Sequence, residues 1–309
     1  MQILPDRFPG LDEAATLFRA LRGQPPAVGR AGRAALAAAG VGSFCPDLID
    51  AAARVADALD AHAASGPELP YHNRHHFIEA TLAMGWLAGT AHALRWLEAR
   101  PAGLGVVAML GHDLLHDGSW PFAPGSTGAL EARSAALTQG YAAAAGVPAS
   151  DIAVIGTIIL GTKPSVAAGN AARALGRLPP GPLGEAADRL RALAVEADLF
   201  ASALPELGWR HGEALAAEWG AAPGAARVAT FAGRLEFLRR LPVPTPAAER
   251  IGLPALTAAQ LKAFVGAVPA PGTITPDAAA AALDAMPRAA ARAAYRAALQ
   301  AARRCRDAN

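Results

Sequence analysis

The chain has 309 residues, of which 53% are hydrophobic and 17% charged, and its formal net charge is +2. This composition excludes an intrinsically disordered protein, because disordered chains are poor in hydrophobic residues and rich in net charge. The basic residues form no continuous stripe of the kind that binds nucleic acid. A membrane span needs about 18 uninterrupted apolar residues, and no stretch of the chain approaches that length. Cys45 and Cys305 lack metal-ligand spacing, and the N-terminus lacks a signal-peptide pattern, so a cytoplasmic protein with free thiols is expected.

Apolar residues recur at three- and four-residue spacing along almost the whole chain, which predicts helices rather than strands. The predicted helices cover Leu11–Leu21, Leu48–Ala64, His72–Leu87, Leu104–Leu115, Leu130–Ala145, Ile152–Leu160, Ala186–Leu204, Leu207–Trp219, Ala226–Leu241 and an alanine-rich stretch from Asp277 to Arg304. Clusters of proline and glycine separate several of them, as in Leu241–Pro246. We therefore expect an all-α protein with an N-terminal helical segment (residues 1–45), a main helical domain (46–270) and an alanine-rich helical tail (271–309).

Five of the eight histidines fall in two short segments. The segments read Tyr71-His72-Asn73-Arg74-His75-His76 and Gly111-His112-Asp113-Leu114-Leu115-His116-Asp117-Gly118. On a helix, His72 and His76 would share one face, and so would His112 and His116. The second segment ends an apolar stretch, where burying a histidine beside an aspartate is costly unless a metal ion compensates for the lost solvation. The two segments together predict a metal site.

The order of His76, then His112-Asp113, then a distant aspartate resembles the HD-domain superfamily of metal-dependent phosphohydrolases. More narrowly, Tyr71-His72-Asn73-x-x-His76 and His112-Asp113-x-x-His116-x-Gly118 are similar to the signature of class I cyclic-nucleotide phosphodiesterases. The resemblance covers roughly residues 70–240. It implies a compact multi-helix bundle with its catalytic domain over residues 46–270, and an enzyme that hydrolyses a small phosphoester, a 3′,5′-cyclic nucleotide above all.

The resemblance also implies a set of metal ligands, in which Asp198 supplies the late aspartate of the family. His76, His112, Asp113 and Asp198 would give one divalent ion two imidazoles and two carboxylates, which suits Zn, Fe, Mn or Co. Asp113 would bridge to a second ion, Mg or Mn, held mostly by water. Two such metal ions would activate the attacking water and stabilise the leaving oxygen.

Three further residues receive catalytic roles in this scheme. His72 would be the general acid that protonates the leaving alkoxide. His116 would orient water on the second ion, and the resemblance places Glu131 where it would hold the metal-bound water or His116. As an ordinary glutamate in a first helical turn, Glu131 would need no function. His75 matches no role and is expected at the surface or in packing.

The sequence departs from the phosphodiesterase pattern in two places. Lys163 follows Thr162 where those enzymes carry an aspartate, so a cation replaces an acid. The family grips the nucleobase with a glutamine followed three residues later by a phenylalanine, whereas Gln260 and Phe264 are four apart. A glutamine on a helix surface and a phenylalanine in the core are the favoured interpretation of this pair. The pattern of the metal site is therefore present, but the base preference is not predicted.

Other activities of the superfamily differ in their histidine count. The di-iron oxygenases and the cyclic-di-GMP hydrolases use two additional histidines before the final aspartate, but none lies between Asp117 and Glu196. A nucleoside-monophosphate phosphatase needs only the simpler set of ligands and stays open as an alternative. A non-catalytic interaction module of HD-like fold is the second alternative.

Overall fold

The structure is a computed structural model that describes residues 4–119, 128–269 and 272–307. These residues form fifteen α-helices, two short 3₁₀ helices and no β-strand, which confirms the all-α prediction. The helices are α1 (Leu11–Arg22), α2 (Val28–Ala38), α3 (Pro46–Ala64), α4 (Arg74–Ala93), α5 (Ala99–Leu110), α6 (Ala129–Ala144), α7 (Ala149–Leu160), α8 (Ala167–Ala174), α9 (Gly184–Ala203), α10 (Pro205–Trp219), α11 (Phe231–Arg240), α12 (Pro246–Arg250), α13 (Leu253–Gly266), α14 (Pro276–Asp284) and α15 (Arg288–Asp307).

No single helix in the described ranges is long and apolar enough to cross a membrane. Two helical segments, Ala149–Leu160 and Pro164–Ala174, reach that length and composition only as a pair, and they are bent by 96° relative to each other.

The chain divides into two compact units. Unit 1 comprises residues 1–201 and 242–251, and unit 2 comprises residues 202–241 and 252–309. These units do not coincide with the three segments expected from the sequence. The first helices belong to unit 1, where Arg22 of α1 forms a bidentate ion pair with the buried Glu79 of α4. The alanine-rich tail belongs to unit 2, where Tyr295 packs on Phe264.

Helix α4 forms the core of unit 1, and every residue from His76 to Ala88 is buried. A helix that is buried all round is enclosed by other elements rather than laid on a surface. The neighbouring α2 approaches so closely that a Cβ atom on Gly85 would lie 2.6 Å from the Cα atom of Ala35. On another side, the ring of Trp86 stacks on Phe18 with centroids 5.5 Å apart. This packing fixes the helix whose first turn contributes to the site.

Unit 2 is built around aromatic side chains. Its buried rings are Trp209, Phe231, Phe264 and Tyr295, and the centroids of contacting pairs lie 4.5–6.3 Å apart. Phe264 is fully buried, which agrees with the prediction that it lies in the core.

Candidate metal centre

Asn73 determines where α4 begins and so where His76 lies. Its side-chain oxygen accepts hydrogen bonds from the backbone N–H groups of His75 (3.0 Å) and His76 (3.3 Å), which makes Asn73 the N-cap. His76 therefore occupies the first turn of α4 and is buried. His72 precedes the helix, so the prediction that it shares a helical face with His76 is wrong. Asparagine is a strongly preferred N-cap, and this was the missed signal.

Helix α5 ends at Leu110, five residues earlier than its apolar pattern predicts. His112 and Asp113 consequently lie in a turn, and the prediction that His112 and His116 share a helical face is wrong. Gly111 caps the helix, and Leu115 adopts a φ of +60°, a left-handed conformation uncommon for a residue with a side chain. Backbone of this kind persists only where surrounding contacts hold it.

Side chains of α6 hold this turn by its carbonyl groups. Thr138 Oγ1 donates to the oxygen of Gly111 (3.2 Å), and Ser134 Oγ donates to the oxygen of Leu114 (3.1 Å). Arg133 donates to the carbonyl that follows. These bonds attach the turn that follows α5 to α6, and the oxygen of Gly111 also accepts a hydrogen bond from the N–H of Leu114 (3.2 Å). Sequence reasoning missed all three residues, whose spacing along α6 is the signal that they face one neighbour.

The four predicted ligands meet in unit 1. His76 Nε2 and His112 Nε2 are 3.2 Å apart. Asp113 Oδ2 lies 3.1 Å from His112 Nε2 and 3.5 Å from His76 Nε2. Asp198, on α9, places Oδ1 3.4 Å from each of the two nitrogens. Each residue offers one ligand atom to a common centre, and the four side chains are referred to as the His/Asp cluster.

The spacing within the His/Asp cluster fits a metal ion. Ligand bonds of about 2.0–2.1 Å place adjacent ligand atoms about 2.9–3.4 Å apart in octahedral or tetrahedral coordination. The tautomer of His112 also fits, because its Nδ1 lies 2.8 Å from the carbonyl oxygen of Met109. That carbonyl only accepts, so we assign the proton to Nδ1, and Nε2 presents its lone pair to the cluster. An imidazole fixed in this way is typical of metal sites.

The electrostatics of the cluster favour positive charge at its centre. Burial lowers the pKa of His112, but the charge of Asp113 and bonds to both carboxylates outweigh it and raise that pKa well above the usual range. The same balance of burial against carboxylates raises the pKa of His76. Burial raises the pKa values of Asp113 and Asp198, but the two histidines more than offset it and lower both. The two carboxylates therefore favour the protonated histidines, and they would favour a bound cation for the same reason.

His72 and His116 lie beside the cluster. Their rings stack with centroids 3.6 Å apart, and His72 Nε2 is 3.6 Å from Asp113 Oδ2. All three side chains line a small pocket of about 70 Å³. His116 Nδ1 accepts a hydrogen bond from the N–H of Gly118 (3.0 Å). The Glu131 side chain is half-buried in the first turn of α6 and has no hydrogen-bond or ion-pair partner among the described residues, so its role stays a prediction.

The remaining residues singled out in the sequence are placed by ordinary packing. His75 Nε2 faces two backbone carbonyls at the end of α1, at 3.2 and 3.3 Å, so it is a packing residue. Gln260 is fully buried in unit 2, where it donates to the oxygen of Ala203 and accepts from Arg234. The expectation that Gln260 lies at a helix surface is therefore wrong. Lys163 extends its ammonium group against Gly128 at the start of α6.

No model of a known protein family matches the chain, and no curated protein matches its sequence. Among solved structures, the phosphodiesterase domain of Salpingoeca rosetta rhodopsin phosphodiesterase aligns with a TM-score of 0.50 and 15% identity, covering 82% of this chain and 83% of that one. The phosphodiesterase domain of the RhoPDE fusion protein from the same choanoflagellate aligns with a TM-score of 0.48 and 14% identity, covering 95% and 93%. LmjPDEB1 in complex with IBMX aligns with a TM-score of 0.45 and 14% identity, covering 97% and 88%. The first alignment shows a shared all-α fold.

Proposed function

We propose that this chain is a metal-dependent phosphohydrolase that cleaves a small phosphodiester of the 3′,5′-cyclic nucleotide class. One observation carries the proposal. Two imidazole nitrogens and two carboxylate oxygens converge with spacings of 3.1–3.5 Å beside a pocket lined by two further histidines. The fold shared with the Salpingoeca rosetta phosphodiesterase domain supports the same activity.

The His/Asp cluster would hold a divalent ion such as Zn, Fe or Mn, with a second ion, Mg or Mn, bound through Asp113 and water. Bound metal would supply an activated water at neutral pH and stabilise negative charge on the phosphoryl group. The chain itself orients the ligands, since the carbonyl of Met109 fixes the His112 ring.

Proton transfer is assigned to the histidines outside the cluster. His72 lies at the pocket, where its ring stacks on His116 and its Nε2 is 3.6 Å from Asp113 Oδ2. A protonated His72 would donate to the leaving alkoxide oxygen, and His116 would orient water from the same pocket. Glu131 is proposed to support His116, in agreement with the family pattern.

The test combines metal analysis with turnover of bis-p-nitrophenyl phosphate. The wild-type chain is expected to retain stoichiometric divalent metal and to hydrolyse the diester, whereas Asp113→Asn is expected to lose both. Asp117→Asn is the matched control, because Asp117 lies in the same motif with a half-exposed side chain that accepts a hydrogen bond from the N–H of Ser119. Full activity of Asp113→Asn would remove this residue from the mechanism.

The substrate class is tested by comparing cyclic AMP and cyclic GMP with 5′-AMP and p-nitrophenyl phosphate. Faster turnover of the diesters supports the proposal. Faster turnover of the monoesters would assign the chain as a nucleoside-monophosphate phosphatase. Stoichiometric metal without turnover of any phosphoester would contradict hydrolysis and identify an interaction module.

A further inference from the structure

A second concave site lies in unit 1, where the ends of α4 and α8 meet the beginning of α9. It is a groove of about 670 Å³, within the size range of small-molecule sites. The side chains that give it its character are Trp96, Arg173, Arg177, Leu178, Glu185 and Arg189. No residue of the His/Asp cluster lines it.

The groove carries a local excess of positive charge. Three arginines face one glutamate, a formal charge of +2, which equals that of the whole chain. The guanidinium of Arg189 already has partners within the protein, because it donates to the carbonyl of Trp96 (2.9 Å) and to Glu185 (2.7 Å). The guanidinium groups of Arg173 and Arg177 have no hydrogen-bond or ion-pair partner within the described part of the chain. Two guanidinium groups without a counter-charge at one concave site are suited to an oxyanion.

The backbone that carries these two arginines is held in one conformation. Gly176, at a φ of +68°, closes the end of α8, and the N–H of Arg177 donates to the oxygen of Ala172 (2.8 Å). Two prolines follow, and the N–H of Gly181 then donates to the buried Asp188 (2.8 Å). Arg173 on α8 and Arg177 just after it are therefore presented by a preorganised backbone, which lowers the entropic cost of binding.

The groove also has an apolar, planar component. Trp96 is half-buried and its ring is fixed by the guanidinium of Arg189, whose central carbon lies 5.5 Å from the ring centroid. Leu178 adds an exposed aliphatic side chain. A ligand that combines an anionic group with a flat ring matches both components.

We propose that this groove binds a small nucleotide, with its phosphate on Arg173 and Arg177 and its base against Trp96. The binding requires no metal and is independent of the proposed hydrolysis.

The test is isothermal titration calorimetry of the full chain in excess EDTA, which removes metal-dependent binding. The probes are 5′-AMP, ribose 5-phosphate, which lacks the base, and adenosine, which lacks the phosphate. We expect 5′-AMP to bind more tightly than either fragment. The double variant Arg173→Gln/Arg177→Gln is expected to weaken 5′-AMP binding by about tenfold or more, because charge-assisted hydrogen bonds to phosphate are lost.

Two controls separate the groove from general electrostatics. Arg210→Gln/Arg250→Gln removes the same charge from exposed positions outside the groove and is expected to leave the affinity within about twofold. Trp96→Leu is expected to weaken 5′-AMP but not ribose 5-phosphate. Circular dichroism melting checks that each variant is folded. Absence of 5′-AMP binding at millimolar concentration, or equal binding by the Arg173/Arg177 variant, would overturn the proposal.

Discussion

Each unit buries a polar cluster, and the two clusters are organised in opposite ways. In unit 2, the buried Arg234 donates to the carbonyls of residues 202–204 and to Gln260 Oε1 (2.7 Å), so acceptors surround one cation. Burial lowers the pKa of Arg234 to about 10. In unit 1, the His/Asp cluster gathers ligand atoms around a common centre. A buried network whose donors and acceptors all pair with one another stabilises the end of a helix. A buried cluster whose ligand atoms point to a common centre is suited to binding a ligand.

The largest expected effect is on metal binding by unit 1. Asp198→Asn replaces a charged ligand with a weak one, so metal affinity is expected to fall by more than about a hundredfold, beyond the usual effect of residues that only orient ligands. Competition with a chromophoric chelator measures it. Asp277→Asn is the control, because this aspartate is exposed and paired with Arg239 in unit 2. Wild-type metal affinity in Asp198→Asn would show that Asp198 is not a ligand.

The next effect is on stability and concerns unit 2. Arg234→Met is expected to lower the free energy of unfolding by about 3–5 kcal/mol, because it leaves buried carbonyls and Gln260 without their donor. Urea denaturation measures the loss, and metal content per folded chain should not change. The double variant Arg234→Met/Gln260→Leu is not expected to recover the loss, because it also removes the Gln260 donor and leaves the oxygen of Ala203 unpaired. A loss below about 1 kcal/mol would mean that the network does not hold the unit.

A smaller effect is expected on both stability and metal affinity at the turn that follows α5. Thr138→Val removes the hydroxyl that donates to the carbonyl of Gly111. We expect a loss of about 1 kcal/mol in unfolding free energy and a fall of about tenfold in metal affinity, because the turn positions two ligands. Thr138→Ser, which keeps the hydroxyl, should restore both. A change in stability with no change in metal affinity would limit Thr138 to a structural role.

The smallest effect is the pH dependence of two quantities. As the pH rises, the stability of the metal-free protein is expected to fall and the affinity for metal to increase. In the metal-free protein the raised pKa values of His76 and His112 give stability that is fully present below the ordinary pKa of about 6.5. This stability is lost as the pH rises through the raised values. Metal needs the unprotonated rings, so its affinity should rise over the same interval. Urea unfolding in EDTA and chelator competition across pH 6–9 test both trends, and metal-free stability that increased over this range would contradict the first.

The sequence predicted the identity of the cluster but not its backbone. His76, His112, Asp113 and Asp198 could be selected because their residue types follow a recognisable order. Their conformation could not, because hydrophobic periodicity continues past the point where Gly111 ends α5. The turn that follows that helix is held by donors from α6, which lie twenty or more residues away in the chain.

Periodicity also failed where small residues pack. The sequence did not predict α2, because its contact with α4 depends on glycine and alanine at close approach rather than on large apolar side chains. Helix α12 was missed because Pro246 belongs to a cluster interpreted as a break, and α13, which contains Pro254, was not among the predicted helices. Both prolines lie in the first turn of a helix, where the missing N–H costs nothing.

The placement of the four proposed ligands in the fold has a consequence for the rate of metal exchange. His76 and Asp198 lie on long helices with buried surroundings, whereas His112 and Asp113 lie on a turn held by three side-chain bonds. A turn held by a few side-chain bonds opens locally at a lower free energy than a helix in a core. Local opening of this turn would therefore release two of the four proposed ligands while His76 and Asp198 stay in place. Metal release would follow the opening of a single loop, and its rate would be adjustable from α6 without altering any atom that touches the ion.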